Sequence, residues 1–177
     1  MSTDDPATAR DRRLICMIEI PRGSKNKYEY DPGLGSVVFD RLLRTAAVYP
    51  ADYGFVPDTL AEDGDPLDVL VCLSEPTFPG CLIAVRPIAV FRMSDEHGGD
   101  DKLICVPTTG DPTWSPLRDL EDLPSLLQAE IEQFFTIYKQ LEEGKTVTTH
   151  GWGPRHEAVE ILAAAKARFA AGTVQRP

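Results

Sequence analysis

Asp63-Gly64-Asp65-Pro66-Leu67-Asp68, running directly into Val69-Leu70-Val71, sets three carboxylates within six residues and then turns apolar. Carboxylates crowded this closely resist ionising together unless a cation or a proton stands among them. Gly64 and Pro66 supply a turn, and the apolar run after them has the composition of a strand that would hold the acidic group rigidly. The stretch therefore predicts a divalent-metal site at the mouth of a β-structure. Taken alone, a plain surface turn also explains Asp, Gly and Pro in this order. An EF-hand does not fit, because its glycine and glutamate positions, counted from Asp63, would hold Asp68 and Ser74. Oxygen donors with no His/Cys cluster beside them favour Mg2+, Mn2+ or Ca2+ over zinc.

On either side of this stretch the chain reads mainly as strands. Leu14 to Ile20 is apolar and bounded by Pro21-Arg22-Gly23. Its exception is Glu19, on the face of Ile15 and Met17, where a carboxylate is costly unless something pairs with it. Lys27 to Tyr30 alternates charged and aromatic residues, and Asp31-Pro32-Gly33 turns the chain into Ser36 to Asp40, predicting a hairpin. Further strands are expected at Leu67 to Leu73, Cys81 to Phe91 and Leu103 to Val106, with Pro87 implying an edge, bulge or bend.

The last third changes period. Leu127, Ile131, Phe134, Tyr138 and Leu141 fall on one face of a helix, with Pro124 in its first turn and Gly144 just past its end. A second, alanine-rich helix is expected over Glu157 to Ala171, closing at Gly172. Strands first and helices last predict an α+β domain, a mainly β barrel with helices packed on it. It forms one unit over residues 14–177, behind a flexible N-terminal tail of residues 1–13.

Composition narrows the function. At 177 residues, 42% hydrophobic and 26% charged, the chain suits one folded domain. Its 18 Lys+Arg against 28 Asp+Glu, a net charge of −10, argue against general nucleic-acid binding. An anionic substrate stays possible if metal ions invert the local field. Cys16, Cys72, Cys81 and Cys105 form no C-x-x-C pair and read as small core residues of a reduced protein. No apolar run is long enough for a membrane span, and the polar first thirteen residues lack a secretory h-region, so cytoplasm is the expected location.

A second acidic group, Asp95-Glu96-His97-Gly98-Gly99-Asp100-Asp101-Lys102, reads alone as a solvated loop between strands. Beside the first group it gains meaning, because Asp95 and Asp100 can converge across the Gly-Gly bend. Lys102 then supplies a cation for a phosphate oxygen, and His97 reads as a solvated loop residue, with pH tuning of metal affinity as the alternative. Lys27, Arg41, Tyr49, Tyr53, Tyr138 and Lys139 are ordinary side chains singly, but jointly they are the donors that a metal-bridged phosphate needs. A P-loop, a dinucleotide fingerprint beyond the partial Gly33-Leu34-Gly35, and a G-x-S-x-G elbow are all missing from the sequence.

These residues in this order resemble the family I soluble inorganic pyrophosphatases of the bacterial type, from about Ile18 through the last helix. Asp63 to Val69 fits that family's D-[SGDN]-D-[PE]-x-D pattern. Glu19 in Ile-Glu-Ile-Pro, Lys27 and Glu29 in Asn-Lys-Tyr-Glu, Arg41 in Asp-Arg, and Tyr49 and Tyr53 in Tyr-Pro-Ala-Asp-Tyr-Gly also match. So do Asp95, Glu96, Asp100 and Lys102, and Tyr138-Lys139-Gln140-Leu141-Glu142.

The resemblance implies an OB-like five-stranded β-barrel with C-terminal helices, a homohexamer of two trimers, and Mg2+-dependent hydrolysis of pyrophosphate to phosphate. Three to four ions are implied per site, with Mn2+ a possible substitute. Asp63, Asp68 and Asp100 would hold the first ion, with Asp68 bridging to a second. Asp95 and Asp100 would serve a third, and Glu19 a fourth. Asp65 is the implied general base and Asp100 the alternative. Lys27, Arg41, Tyr53, Lys102, Tyr138 and Lys139 would bind phosphate, with Glu29, Tyr49 and Glu96 in support. Water attacks directly, without a phosphoenzyme. Two other readings differ in class. A nucleic-acid-binding OB module would need a basic, aromatic sheet face. A Ca2+-binding structural domain would leave Lys27, Arg41, Lys102 and Lys139 without purpose.

Overall fold

The computed structural model describes residues 14–174, so the expected tail lies outside the described residues. In chain order the strands are β1 (Leu14–Ile20), β2 (Asn26–Asp31), β3 (Ser36–Leu42), β4 (Asp52–Val56), β5 (Leu67–Val71), β6 (Leu82–Asp95), β7 (Gly98–Gly99) and β8 (Lys102–Pro107). They are followed by helix α1 (Ser125–Ile137), strand β9 (Val147–Pro154) and helix α2 (Arg155–Val174).

Five strands close into a ring: β1 pairs with β4, β4 with β5, β5 with β8, β8 with β6, and β6 returns to β1. All these pairings are antiparallel except β5–β8. Closure removes the exposed edges that an open sheet would carry. This is the expected OB-like barrel. β9 extends the long strand β6, and β2–β3 forms the separate hairpin that the Asp31-Pro32-Gly33 turn predicts. In that turn Asp31 Oδ1 accepts from the N–H groups of Gly33 at 2.7 Å and Leu34 at 3.0 Å.

Two buried clusters hold the barrel. One draws on every strand of the ring, with Cys16 and Ile18, Val56, Val69 and Val71, Val85 and Val90, and Leu103 and Cys105, and is joined by Ala158 and Ala165 of α2. The other uses the opposite faces of β5, β6 and β8, where Leu70, Phe91, Met93 and Ile104 meet Ile131, Phe134 and Phe135 of α1. Strands covered on both faces read as continuous apolar runs, which is why these three were visible in the sequence.

β4 and β9 were not visible, for one shared reason: glycine. A Cβ on Gly54 would overlap the Met17 carbonyl oxygen and sit 2.8 Å from its carbon and 2.9 Å from Ile18 Cα. Gly54 is therefore where β4 comes up against β1, beside the β1 register shift between Ile18 and Ile20. In β9, Gly151 at φ +84° sits at a register shift against β6. Pro87 behaves as expected, at a bulge between β6 and β8.

The helix ends differ from expectation. α1 stops at Ile137, and Tyr138 to Glu142 run in tight turns, Gln140 N–H to Ile137 O at 3.0 Å and Glu142 N–H to Lys139 O at 2.9 Å. Tyr138 stays buried against Phe134 and Phe135, while Leu141 is exposed and off the stripe. Gly144 thus serves a later turn. α2 begins at Arg155 and continues through Gly172. Cys16, Cys72 and Cys105 are buried, Cys81 is half-buried, and all four are free thiols. Among the described residues no helix is long and apolar enough to cross a membrane.

Candidate active site

Lys102 begins β8 and is buried, yet its ammonium is charged and doubly paired. Its Nζ lies 2.5 Å from Asp68 Oδ2 and also donates to Asp100 Oδ1. The Tyr53 hydroxyl donates to the same Asp68 oxygen at 2.6 Å. The pleat explains the meeting. Asp68 points to the face of β5 opposite Leu67 and Val69, and Tyr53 faces Leu70 on the neighbouring β4. The rings of Tyr53 and Phe135 flank the ammonium at 5.7 and 5.9 Å. Burial pulls the Lys102 pKa down, but Asp68 and Asp100 more than offset it and hold the ammonium charged.

The other carboxylates gather around this pair. Asp63 and Asp65 occupy the turn into β5, where Asp65 N–H donates to Asp63 Oδ1 at 3.0 Å and Gly64 takes φ +94°, a region that favours glycine. Glu19 on β1 accepts from Tyr30 N–H at 2.7 Å, so the β2–β3 hairpin supplies the partner that a carboxylate beside Ile15 and Met17 demanded. Burial, with the charge of Asp68 adding, pushes the Glu19 carboxyl up to about 7. Burial pushes Asp100 up to about 6, with Asp68 and Asp95 reinforcing the shift against Lys102. Asp65 is raised by partial burial and by Asp63, Asp68 and Glu29. These acids feel one another as the sequence spacing suggested.

The cations are held by acids as well. Lys139 Nζ lies 3.1 Å from Asp95 Oδ2 and 5.2 Å from the Tyr138 ring centre. Burial pulls against the Asp95 charge, but the His97 N–H and Lys139 outweigh it and hold its pKa below the usual carboxylate range. On the hairpin, Lys27 faces Arg41 across β2–β3. Lys27 pairs with Glu29 and, at 3.4 Å, with Asp40. Arg41 pairs with Asp40 and, at 3.0 Å, with Glu142. Tyr49 is buried, its ring 5.4 Å from Tyr53. Glu96 turns outward to Lys145 at 2.6 Å, and the exposed His97 ring lies 3.6 Å from it.

Three partners escaped the sequence reading: Asp40, Lys145, and Glu142 as the counter-ion of Arg41. Arg41 and Glu142 stand 101 residues apart, and nothing local to either one signals the pairing. Phe135 escaped too, because an aromatic at a core helix position reads as packing and not as a wall beside an ammonium.

The donor set fits a hard divalent cation. It is all oxygen, and burial, with neighbouring acid charges adding, has raised Glu19, Asp65 and Asp100 towards protonation, which a cation among them would oppose. Among the described residues no three His, Cys, Asp or Glu side chains stand close enough together to hold an ion as they are placed. Lys102 supplies the positive charge between Asp68 and Asp100.

Comparison with known proteins gives a consistent result. Residues 16–170 match the family model described as inorganic pyrophosphatase. The chain is 55% identical over 155 residues to the inorganic pyrophosphatase of Leifsonia xyli, covering 88% of this chain and 94% of that one. It is 55% identical over 152 residues to that of Streptomyces coelicolor, covering 86% and 93%. The crystal structure of inorganic pyrophosphatase from Thermus thermophilus superimposes with a TM-score of 0.86 at 45% identity, covering 96% of this chain and 97% of that one.

Proposed function

The chain belongs to the inorganic pyrophosphatase family, and on that premise we propose that it hydrolyses pyrophosphate to two phosphates with Mg2+, water attacking phosphorus directly. The observation that carries the reading is the group of acids around the buried Lys102, with Tyr53 on Asp68 and the Asp63–Asp65 turn beside it. Asp63, Asp68, Asp95, Asp100 and Glu19 are the residues that would hold Mg2+. Bound there, the ions would screen the polyanion's charge and add Lewis acidity.

The chain's own groups do the rest. Asp65, exposed at the turn and raised in pKa, accepts the proton of the attacking water, and Asp100 is the alternative base. Lys27, Arg41, Tyr53, Lys102, Tyr138 and Lys139 bind and orient phosphoryl oxygens, with Arg41 meeting charge on the transferred group. Several of these donors now rest on carboxylates, so substrate oxygens would replace Glu29, Asp40, Glu142 and Asp95 as their acceptors. Glu29, Tyr49 and Glu96 support the site. Neither the nucleic-acid nor the Ca2+-binding alternative accounts for this pairing of acids and cations.

The same reading takes residues 14–177 as one catalytic unit, assembled as a homohexamer of two trimers in the cytoplasm. Sedimentation would measure that assembly. The deciding experiment is enzymatic. With Mg2+ the purified protein releases phosphate from pyrophosphate, and EDTA stops it. Asp68→Asn loses most of that activity with an unchanged circular dichroism spectrum. An inactive wild type in Mg2+, or a fully active Asp68→Asn, overturns the reading.

A further inference from the structure

Arg86 and Arg118 meet towards the end of β6 remote from Asp95, and Arg155 lies near enough to repel Arg86. Arg86 lies opposite Val106 of β8 and donates from Nη2 to Ser115 O at 2.8 Å and Leu117 O at 2.7 Å. Arg118 donates from Nη1 to the same Ser115 oxygen at 3.0 Å, so two guanidiniums converge on one carbonyl. Arg155, the first residue of α2, is fixed beside them through its N–H, which donates to Asp119 Oδ1 at 3.0 Å.

The nearby carboxylates are occupied by backbone. Asp119 accepts from the N–H groups of Leu120 and Arg155, and Asp122 from those of Arg118 and Asp119. Among the described residues none of the three guanidiniums has a carboxylate oxygen within 4.0 Å. Arg86 Nε is buried and lacks a hydrogen-bond partner. Burial first, then repulsion from Arg118 and Arg155, lowers the Arg86 pKa. In a chain of net charge −10, a cation cluster held together against its own repulsion is an arrangement that an anion would relieve.

We propose that Arg86, Arg118 and Arg155 form an oxyanion site for a phosphate group, separate from the acidic mouth of the barrel. The planar guanidinium fork matches phosphate oxygens bidentately, and three of them suit a group that presents three oxygens. Nine residue steps along β6 separate Arg86 from Asp95, roughly 30 Å of strand at about 3.3 Å per residue. The phosphate can come free, as inorganic phosphate, or on a nucleotide, and the chemistry is shared.

The test is calorimetric titration of the full chain in EDTA with inorganic phosphate in one arm and adenosine monophosphate in the other. Wild type and Arg41→Ala should bind equally in at least one arm. Arg118→Ala/Arg155→Ala should bind about tenfold more weakly or not at all, as expected for losing charge-assisted contacts. Binding of phosphate alone identifies a small-anion site, and binding of the nucleotide alone identifies a nucleotide site. Equal affinity of wild type and double variant, binding lost only in Arg41→Ala, or no binding in either arm overturns the proposal. Should circular dichroism show the double variant unfolded, Arg155→Ala alone decides the matter, because its backbone bond to Asp119 survives the substitution.

Discussion

Lys102 Nζ lies 2.5 Å from Asp68 Oδ2 while the lysine side chain is only 2% exposed, so a buried ammonium holds the central carboxylate of the acidic mouth. Asp100 shares the same ammonium. Removing one partner of a buried ion pair strands the other, at a cost of about 3 kcal/mol or more. Lys102→Met should therefore lose about that much stability in urea unfolding with EDTA present, because Asp68 and Asp100 would face each other without a cation. Mg2+ should restore part of the loss. A variant as stable as wild type in EDTA would show that the pair carries no structural load.

Gly54 makes a second, purely steric prediction. Its place on β4 leaves no room for a side chain, because backbone atoms of Met17 and Ile18 fill the position of a Cβ. Backbone cannot swing aside as a side-chain tip can, so Gly54→Ala must part β4 from β1 and open the barrel seam. Overpacking of this kind costs about 1–3 kcal/mol or more. The expected outcome is a soluble yield far below wild type and a clear drop in melting temperature, measured beside Gly64→Ala. Gly64 has open space around it and carries only its φ strain, so it should suffer less.

What could be read from the chain divides along local and non-local lines. Glu19 betrayed itself as a carboxylate sharing a face with Ile15 and Met17, and the hairpin beyond it supplies the partner this required. Asp63, Asp65 and Asp68 were legible because crowding of like charge is a local property. Gly54, Gly151 and Gly153 hid two strands, since in sequence a glycine breaks a pattern, whereas here each marks a close approach or a register shift. The pairing of Arg41 with Glu142 follows from tertiary packing alone. So does the burial of Lys102, because a lysine ahead of an apolar strand reads as a solvated end until α1 is seen to cover it with Phe135.

Acid should weaken the fold through two carboxylates far from the mouth. Asp111 accepts from the N–H groups of Ser74, Thr113 and Trp114 and from the Ser74 hydroxyl, and Asp119 accepts from those of Arg155 and Leu120. These bonds, led by Ser74 for Asp111 and by Arg155 for Asp119, hold both pKa values below the ordinary 3.8. The unfolded chain then binds more protons in that window, so their stabilisation is present above 3.8 and is lost as pH falls through the lower folded values. Asp111→Asn and Asp119→Asn should each be less stable than wild type at neutral pH, and the gap should shrink as pH falls below 3.8 in urea titrations. A gap that stays constant across that range would contradict the assignment.

The thiols give a test of barrel closure. Burial pushes Cys16 and Cys72 up to about 12 and raises Cys105 as well. The thiolate is the reactive form, so these three are shielded both sterically and by protonation. Cys81, just ahead of β6, is raised less and is half-buried. With a thiol-specific disulfide reagent at mildly alkaline pH, the folded protein should release at most one equivalent, slowly, and the guanidinium-unfolded chain four. Cys81→Ser should abolish the native reaction. Two or more equivalents from the folded protein would mean that the β1–β6 or β5–β8 seam opens on the timescale of labelling, because Cys16 and Cys105 are exposed only by parting those strands.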